Sequence, residues 1–157
     1  MIWADMRSTE QEKKLRANIG EKEFYNITGH RISSSYSATK LMWLRDNQPE
    51  IYARTAKMLN AKDFIILKLT GKMVTEPSDA SSTCLLELGA QKWSDKVIDA
   101  CGLDKSKLPD IIRSIDVAGT VTPDAASACG LLSGTPVVCG GGDGVCAAVG
   151  TGAVAEG

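Results

Sequence analysis

An α/β fold, with an incomplete sheet and a layer of helices, is what this sequence predicts, and three observations point to it. Residues 135–139 read Thr-Pro-Val-Val-Cys, a short β-branched run between a proline and the glycines 140–142, as expected of a buried strand. Between residues 37 and 71 lie segments with helical patterning, a proline suited to a first helical turn and a closing glycine. Strand-like runs are few, about two to four, which is thin for a sheet that stands alone.

From the N-terminus, residues 1–4 read as a strand. Trp3, Asp5 and Arg7 would then share a face, since side chains alternate along a strand. Ser8 with Gln11, and Thr9 with Glu12, fit a capping box; Leu15 and Ile19 form a narrow stripe that stops at Gly20, and Glu10–Lys14 and Glu12–Arg16 pair on the wet face of an exposed helix. Residues 28–37, with Gly29 and Ser33 to Ser35, read as a loop. A helix follows through Leu41, Met42, Trp43 and Leu44, and another starts at Pro49 and carries Ile51, Tyr52, Met58 and Leu59.

Asp63 is placed to cap the run Phe64, Ile65, Ile66, Leu67 and Leu69, which Gly71 ends. Residues 72–82, with Pro77 and Asp79, read as a loop. Ser94 caps a short helix whose Val97, Ile98 and Cys101 share a face before Gly102. Leu108-Pro109 breaks the chain, residues 115–121 suit a strand, and residues 123–129 suit a short helix before Gly130. The small-residue run after Asp143 suits a tight helix. No internal repeat, linker or domain boundary is visible, so residues 1–157 read as a single segment.

Composition narrows the function classes. At 157 residues the chain can bury a core without disulfide or metal staples. No basic block or basic-aromatic stripe suggests nucleic acid as a partner, and no apolar run approaches the roughly 20 residues that span a bilayer. Five cysteines, an odd number without a CxxC pair, and the single histidine His30 argue against a disulfide framework or a metal site, and for a reducing cytoplasm. The cysteines read as buried small apolar residues, His30 as a loop residue, and Trp43 and Trp93 as core or rim.

Three motifs carry candidate chemistry. Gly142, Gly144 and Ala147 satisfy GxGxxA, as do Gly150, Gly152 and Ala155, but a dinucleotide site needs a second strand with a ribose-binding acid about 20 residues on, and that context is missing. No Walker pattern is present. Asp143 sits where a strand ends among glycines that admit a ligand, at the kind of place where open parallel sheets put their sites, and can serve as a general base. It can equally cap the following helix or shape the turn. Trp3, Asp5 and Arg7 can hold a polyol, its C–H face on the indole and its hydroxyls on the charges, or can be a packed tryptophan beside a surface ion pair.

Collinear order then adds a resemblance. Trp3-Ala4-Asp5-Met6-Arg7, Ile27-Thr28-Gly29, Lys40-Leu41-Met42-Trp43-Leu44, Asn47 with Pro49-Glu50, Lys62-Asp63, Leu69-Thr70-Gly71, Ser78-Asp79-Ala80-Ser81, Trp93-Ser94, Leu108-Pro109, Gly119 and Gly140-Gly141-Gly142-Asp143 together resemble the FGGY family of carbohydrate kinases, and within it the members that act on D-xylulose. The resemblance implies an actin-like, ribonuclease-H-like sugar kinase domain and transfer of the ATP γ-phosphoryl to a hydroxyl of a ketopentose. It implies Asp143 as the base, Trp3, Asp5 and Ser35 on the substrate, and Gly142 and Gly144 for close backbone approach. Gly144 departs from the family, many members of which carry Asn or Gln there.

Family members run to about three times this length, as chains of two domains do, and this chain resembles the central and C-terminal part of their sugar-binding domain. The expectation is therefore of a piece without the nucleotide-binding domain. ATP and Mg2+ belong to the intact parent, the piece alone binds no cofactor and has no kinase activity, and open sheet edges invite a second copy to pair as a homodimer.

Overall fold

The structure, a computed structural model, describes residues 1–154. In chain order the helices are α1 (Thr9–Ile19), α2 (Glu21–Thr28), α3 (Ser37–Asn47), α4 (Pro49–Arg54), α5 (Ala61–Thr70), α6 (Pro77–Ser82), α7 (Asp95–Cys101), α8 (Pro123–Cys129) and α9 (Asp143–Gly150). The strands are β1 (Val74–Thr75), β2 (Leu86–Glu87), β3 (Lys92–Trp93), β4 (Asp110–Ile111), β5 (Val117–Thr120) and β6 (Pro136–Val138), joined in three two-stranded pairs. Contacts group the chain into two compact units. The first is Met1–Met58 with Ala80–Leu108, and the second is Leu59–Asp79 with the chain from Pro109 onward. None of the described helices is long and apolar enough to cross a membrane.

The core of the first unit gathers Leu15 of α1, Phe24 of α2, Ala38, Leu41 and Met42 of α3, Leu86 of β2, Trp93 of β3, and Val97, Ile98 and Cys101 of α7. As the sequence predicts, the Ser94 hydroxyl accepts from Val97 N–H to start α7, and Gly102 ends it in the left-handed region at φ 62°. β2 and β3 pair antiparallel, Leu86 opposite Trp93.

Several local expectations are corrected here by tertiary partners. Residues 1–7 form no strand: Asp5 N–H closes a turn onto the Ile2 carbonyl at 3.0 Å, and Lys40 Nζ donates to the carbonyls of Ile2 (2.7 Å) and Trp3 (3.3 Å) that a sheet neighbour would have used. The capping boxes at the start of α1 do not form. Ser8 donates instead to the Ser34 carbonyl at 3.0 Å, while Glu12 accepts from Ser34 N–H at 2.8 Å and pairs with Arg16 as expected. Nor is α1 merely an exposed helix, since Gln11 and Leu15 are buried. Glu10 pairs with Lys13, because Lys14 reaches Asp46 at 3.1 Å.

The helix α2 was not foreseen; its two buried residues, Phe24 and Thr28, give too short a stripe to read from periodicity. α4 stops at Arg54, so Met58 and Leu59 lie beyond it, and Met58 N–H donates to the Lys107 carbonyl at 2.7 Å.

In the second unit α5 begins at Asn60, whose side chain and Asp63 form a reciprocal capping box, so Asp63 is the third helical residue and not the cap itself. Gly71, at φ 75°, ends the helix as expected. The stretch read as a loop at 72–82 holds β1, which pairs parallel with β4, and α6, where the chain passes into the first unit. β5 and β6 pair antiparallel with a register shift between Val117 and Gly119. β6 is thus neither part of a parallel sheet nor buried: it has one partner strand, and Val138 is 51% exposed. α8 starts at Thr122, whose hydroxyl accepts from Ala125 N–H, and ends at Gly130 in the left-handed region. Of the five cysteines, Cys84, Cys101 and Cys139 are buried as expected; Cys129 and Cys146 are exposed on helix surfaces, with their thiols turned back to the carbonyls of Ala125 and Gly141.

Candidate functional site

The turn that carries Asp143 is pinned from β6 onward. Cys139 N–H donates to the Asp116 carbonyl and Gly140 N–H to the Ser114 carbonyl, both at 2.9 Å, and Gly140 takes φ 75°, a backbone that favours glycine. Gly142 caps α9 in extended conformation, and its N–H donates to Ser78 Oγ at 2.8 Å. The Ser78 hydroxyl in turn donates to Glu76 Oε1 at 2.6 Å.

Glu76 is fully buried, yet four donors converge on its carboxylate: the Ser78 hydroxyl, Ser78 N–H (2.9 Å), Asp79 N–H (2.8 Å) and the Ser114 hydroxyl (2.8 Å). Burial pushes this acid up, and the hydrogen bonds from Ser78, Asp79 and Ser114 outweigh burial, so it stays below the usual carboxylate range. Nearby, Lys62 Nζ pairs with Asp63 at 2.8 Å and with Asp79 at 3.5 Å. Burial pushes Asp79 up, opposed by Lys62 and helped by the charges of Asp63 and Glu76. Burial pushes Lys62 down, but Asp63, together with Cys139 and Asp79, more than offsets it, and Lys62 is raised overall. The acid-bearing turn is therefore backed by a small network of charges.

Asp143 itself is exposed at the first position of α9, where Oδ1 accepts from Gly144 N–H at 2.8 Å. Asp143 does not cap α9, since Gly142 holds that position; its carboxylate bonds the N–H of the next residue within the first turn and is open to solvent. Gly142 makes a close approach, but to the chain's own side chains: a Cβ there would lie 3.3 Å from Asp79 Oδ1 and 3.4 Å from Ser78 Oγ. A Cβ at Gly144 meets open space. Of the glycine fingerprints, Ala155 lies outside the described residues.

The remaining predicted residues lie in the first unit, whereas Gly142, Asp143 and Gly144 lie in the second. Trp3 is 82% exposed and sits in a turn, without the strand that would have aligned it with Asp5 and Arg7. Asp5 accepts from Arg7 N–H and Nε, and these bonds pull its carboxyl below the usual range. The same Arg7 guanidinium stands 5.1 Å from the centre of the Trp43 ring. Ser35 is half-buried; its hydroxyl meets that of Ser33 at 3.0 Å and its carbonyl accepts from Lys40. Trp3 and Ser35 are thereby linked through one buried lysine. His30 pairs with the Ser81 hydroxyl at 3.0 Å and packs against Tyr36, and burial pushes its pKa down.

Glu76, Ser78 and Lys40 hold the candidate site residues through bonds that none of the sequence motifs announces. For Glu76 a local signal is nonetheless present in Glu76-Pro77-Ser78, an acid just ahead of a proline at a helix start, where backbone N–H groups need an acceptor. Among the described residues no group of three or more His, Cys, Asp or Glu is placed to hold a metal ion.

Comparison with known proteins adds the following. The N-terminal domain of the FGGY family of carbohydrate kinases matches residues 1–150. A xylulose kinase of Bacillus subtilis (strain 168) is 32% identical over 157 residues, which is 100% of this chain and 31% of the relative. An autoinducer-2 kinase of Enterobacter sp. (strain 638) is 34% identical, over 99% of this chain and 31% of its own length. The crystal structure of a xyloylose kinase from Brucella ovis is similar with a TM-score of 0.88 at 32% identity, over 99% of this chain and 32% of that one. The chain spans about a third of the length of these relatives.

Proposed function

Since the chain belongs to the FGGY family of carbohydrate kinases, we propose that it supplies the sugar side of an ATP-dependent phosphoryl transfer, with D-xylulose converted to D-xylulose 5-phosphate. Asp143 is the general base. It takes the proton of the attacking sugar hydroxyl as that oxygen bonds to the γ-phosphorus, and the bond from the γ-phosphorus to the leaving ADP breaks. Trp3, Asp5 and Ser35, in the first unit, are the sugar-side residues that the family resemblance implies.

The observation that carries the reading is the exposed Asp143 carboxylate on a turn anchored through Gly142 N–H, a fixed backbone with an accessible acid. Phosphoryl transfer asks the protein chiefly for positioning and charge stabilisation, which suits a single acid so held. ATP enters as the second substrate, and Mg2+ bound with it would neutralise phosphate charge in the intact parent; among the described residues no cluster of His, Cys, Asp or Glu is placed to hold the ion. The chain alone is inactive in this reading, and ATP is held by sequence equivalent to the rest of its relatives.

The test is Asp143→Asn in the kinase as expressed from its own gene. Turnover should fall at least about a hundredfold with little change in sugar affinity; a near-normal rate would leave Asp143 with its turn-shaping role alone. ATP-dependent xylulose phosphorylation by the 157-residue chain itself would overturn the division of labour. A second substrate reading is favoured by the 34% identity to an autoinducer-2 kinase. A panel of ketopentoses, glycerol, gluconate and the phosphorylatable autoinducer, assayed for kcat/KM, separates the two.

A further inference from the structure

Resting on the assignment of Asp143 as base, we propose that Glu76 and Ser78 are positioning residues for it, acting as a relay that fixes the Gly142–Asp143 turn from behind. The relay has a defined direction. An ionised carboxylate accepts hydrogen bonds and donates none, so the single proton of the Ser78 hydroxyl must go to Glu76 Oε1, 2.6 Å away. The hydroxyl lone pairs are then left for Gly142 N–H at 2.8 Å. A serine without that carboxylate could rotate its proton toward Gly142 and lose the bond. The buried acid therefore sets which way the hydroxyl faces, and the hydroxyl sets where the residue before Asp143 sits.

The same carboxylate joins three separate stretches of the second unit. It takes two backbone N–H groups at the start of α6, and the Ser114 hydroxyl from the segment between β4 and β5. Ser114 offers its carbonyl to Gly140 N–H, so both ends of the 140–142 glycine run are tied to Glu76 through a serine. The site is packed to this purpose, since a methyl group at Gly142 would meet Ser78 Oγ at 3.4 Å and Asp79 Oδ1 at 3.3 Å. Glutamine cannot replace the glutamate: one amide oxygen has two lone pairs for four donors, and its NH2 group would face two of them.

The experiment compares Ser78→Ala, Ser78→Thr and Glu76→Gln. Amide hydrogen exchange at Gly142 is read in the 157-residue chain, and kcat and sugar KM in the kinase as expressed from its own gene. Ser78→Ala and Glu76→Gln should speed Gly142 exchange by about tenfold, the worth of one hydrogen bond, while Gly130, whose N–H closes the end of α8 onto the Ala126 carbonyl, keeps its rate. They should lower kcat by about tenfold with KM changed less than twofold, and Ser78→Thr, which keeps the hydroxyl, should restore both. Unchanged Gly142 exchange in Ser78→Ala overturns the relay, and so does faster exchange with kcat unaltered. If Glu76→Gln fails to fold, the Ser78 pair decides alone. Should Asp143→Asn keep its rate, the assignment of the base falls separately, and Gly142 exchange still decides whether the relay holds the turn.

Discussion

Lys40, buried in α3, donates its ammonium to the main-chain carbonyl of Ile2 at 2.7 Å. One side chain thereby fastens the N-terminal segment, with Trp3, to the loop that carries Ser35. Lys40→Met keeps the apolar stem and removes the donors, so the Ile2, Trp3 and Ser35 carbonyls lose a shared partner. The expected cost is about 1–2 kcal/mol in urea unfolding. A variant as stable as the parent would mean that water serves these carbonyls equally well.

Asp46 gives a pH dependence of definite sign. Burial pushes its pKa up, but hydrogen bonds from Gln11, Arg45 and Lys14 overcome this and lower it from 3.8 to about 2. A depressed acid stabilises the fold above its unfolded value and loses that contribution as pH falls through about 2. Asp46→Asn should therefore lose stability at neutral pH, by about 1 kcal/mol once solvent screening is allowed for. The gap between variant and parent should shrink from pH 4 downward and close near pH 2, as read by denaturant titrations at several pH values.

The two glycines beside Asp143 should respond in opposite ways. Gly144 lies within α9 and a Cβ there touches nothing, so Gly144→Ala should stabilise by about 0.5 kcal/mol through reduced freedom of the unfolded chain. Gly142 has an ordinary φ of −60°, so Gly142→Ala suffers only from its tight contacts with Ser78 and Asp79 and should destabilise by about 1 kcal/mol. Paired thermal unfolding measurements check the difference in sign.

Gly119 in β5 answers to packing. A Cβ there would stand 2.9 Å from Thr70 Cβ and 3.3 Å from Thr70 Cγ2. Gly119→Ala should cost about 2 kcal/mol as β5 is forced away from α5. Combining it with Thr70→Ser, which removes Cγ2, should return part of the loss.

What could be read in advance was what local chemistry decides. Ser94 with Gly102, a proline ahead of Gly130, and Gly71 mark helix ends through hydrogen bonds and backbone angles that neighbours in sequence supply. Asp143 stands out as an acid after three glycines, but that pattern suits a turn as well as a base, and only the collinear resemblance favours the base. The two-residue strands β1 to β4 were not legible, since two residues carry no periodicity. The strand expected at 1–4 failed because alternation of Trp3, Asp5 and Arg7 says nothing of a buried lysine 38 positions away in sequence. Glu76 escaped for a related reason: an acid is buried only where donors meet, and one of its donors, Ser114, lies 38 residues downstream.

The second unit is discontinuous in sequence, and that sets an order of events at the ribosome. The first unit has all its residues once Leu108 has been made. Helix α5 emerges long before β5 and β6, and its last turn waits for Thr122, whose N–H reaches the Leu69 carbonyl at 2.9 Å. Through that interval Ile66, buried in the folded chain, lies uncovered on a nascent helix. A ribosome paused between Thr70 and Val117 would thus present a chaperone-binding segment that disappears when the β5–β6 pair closes.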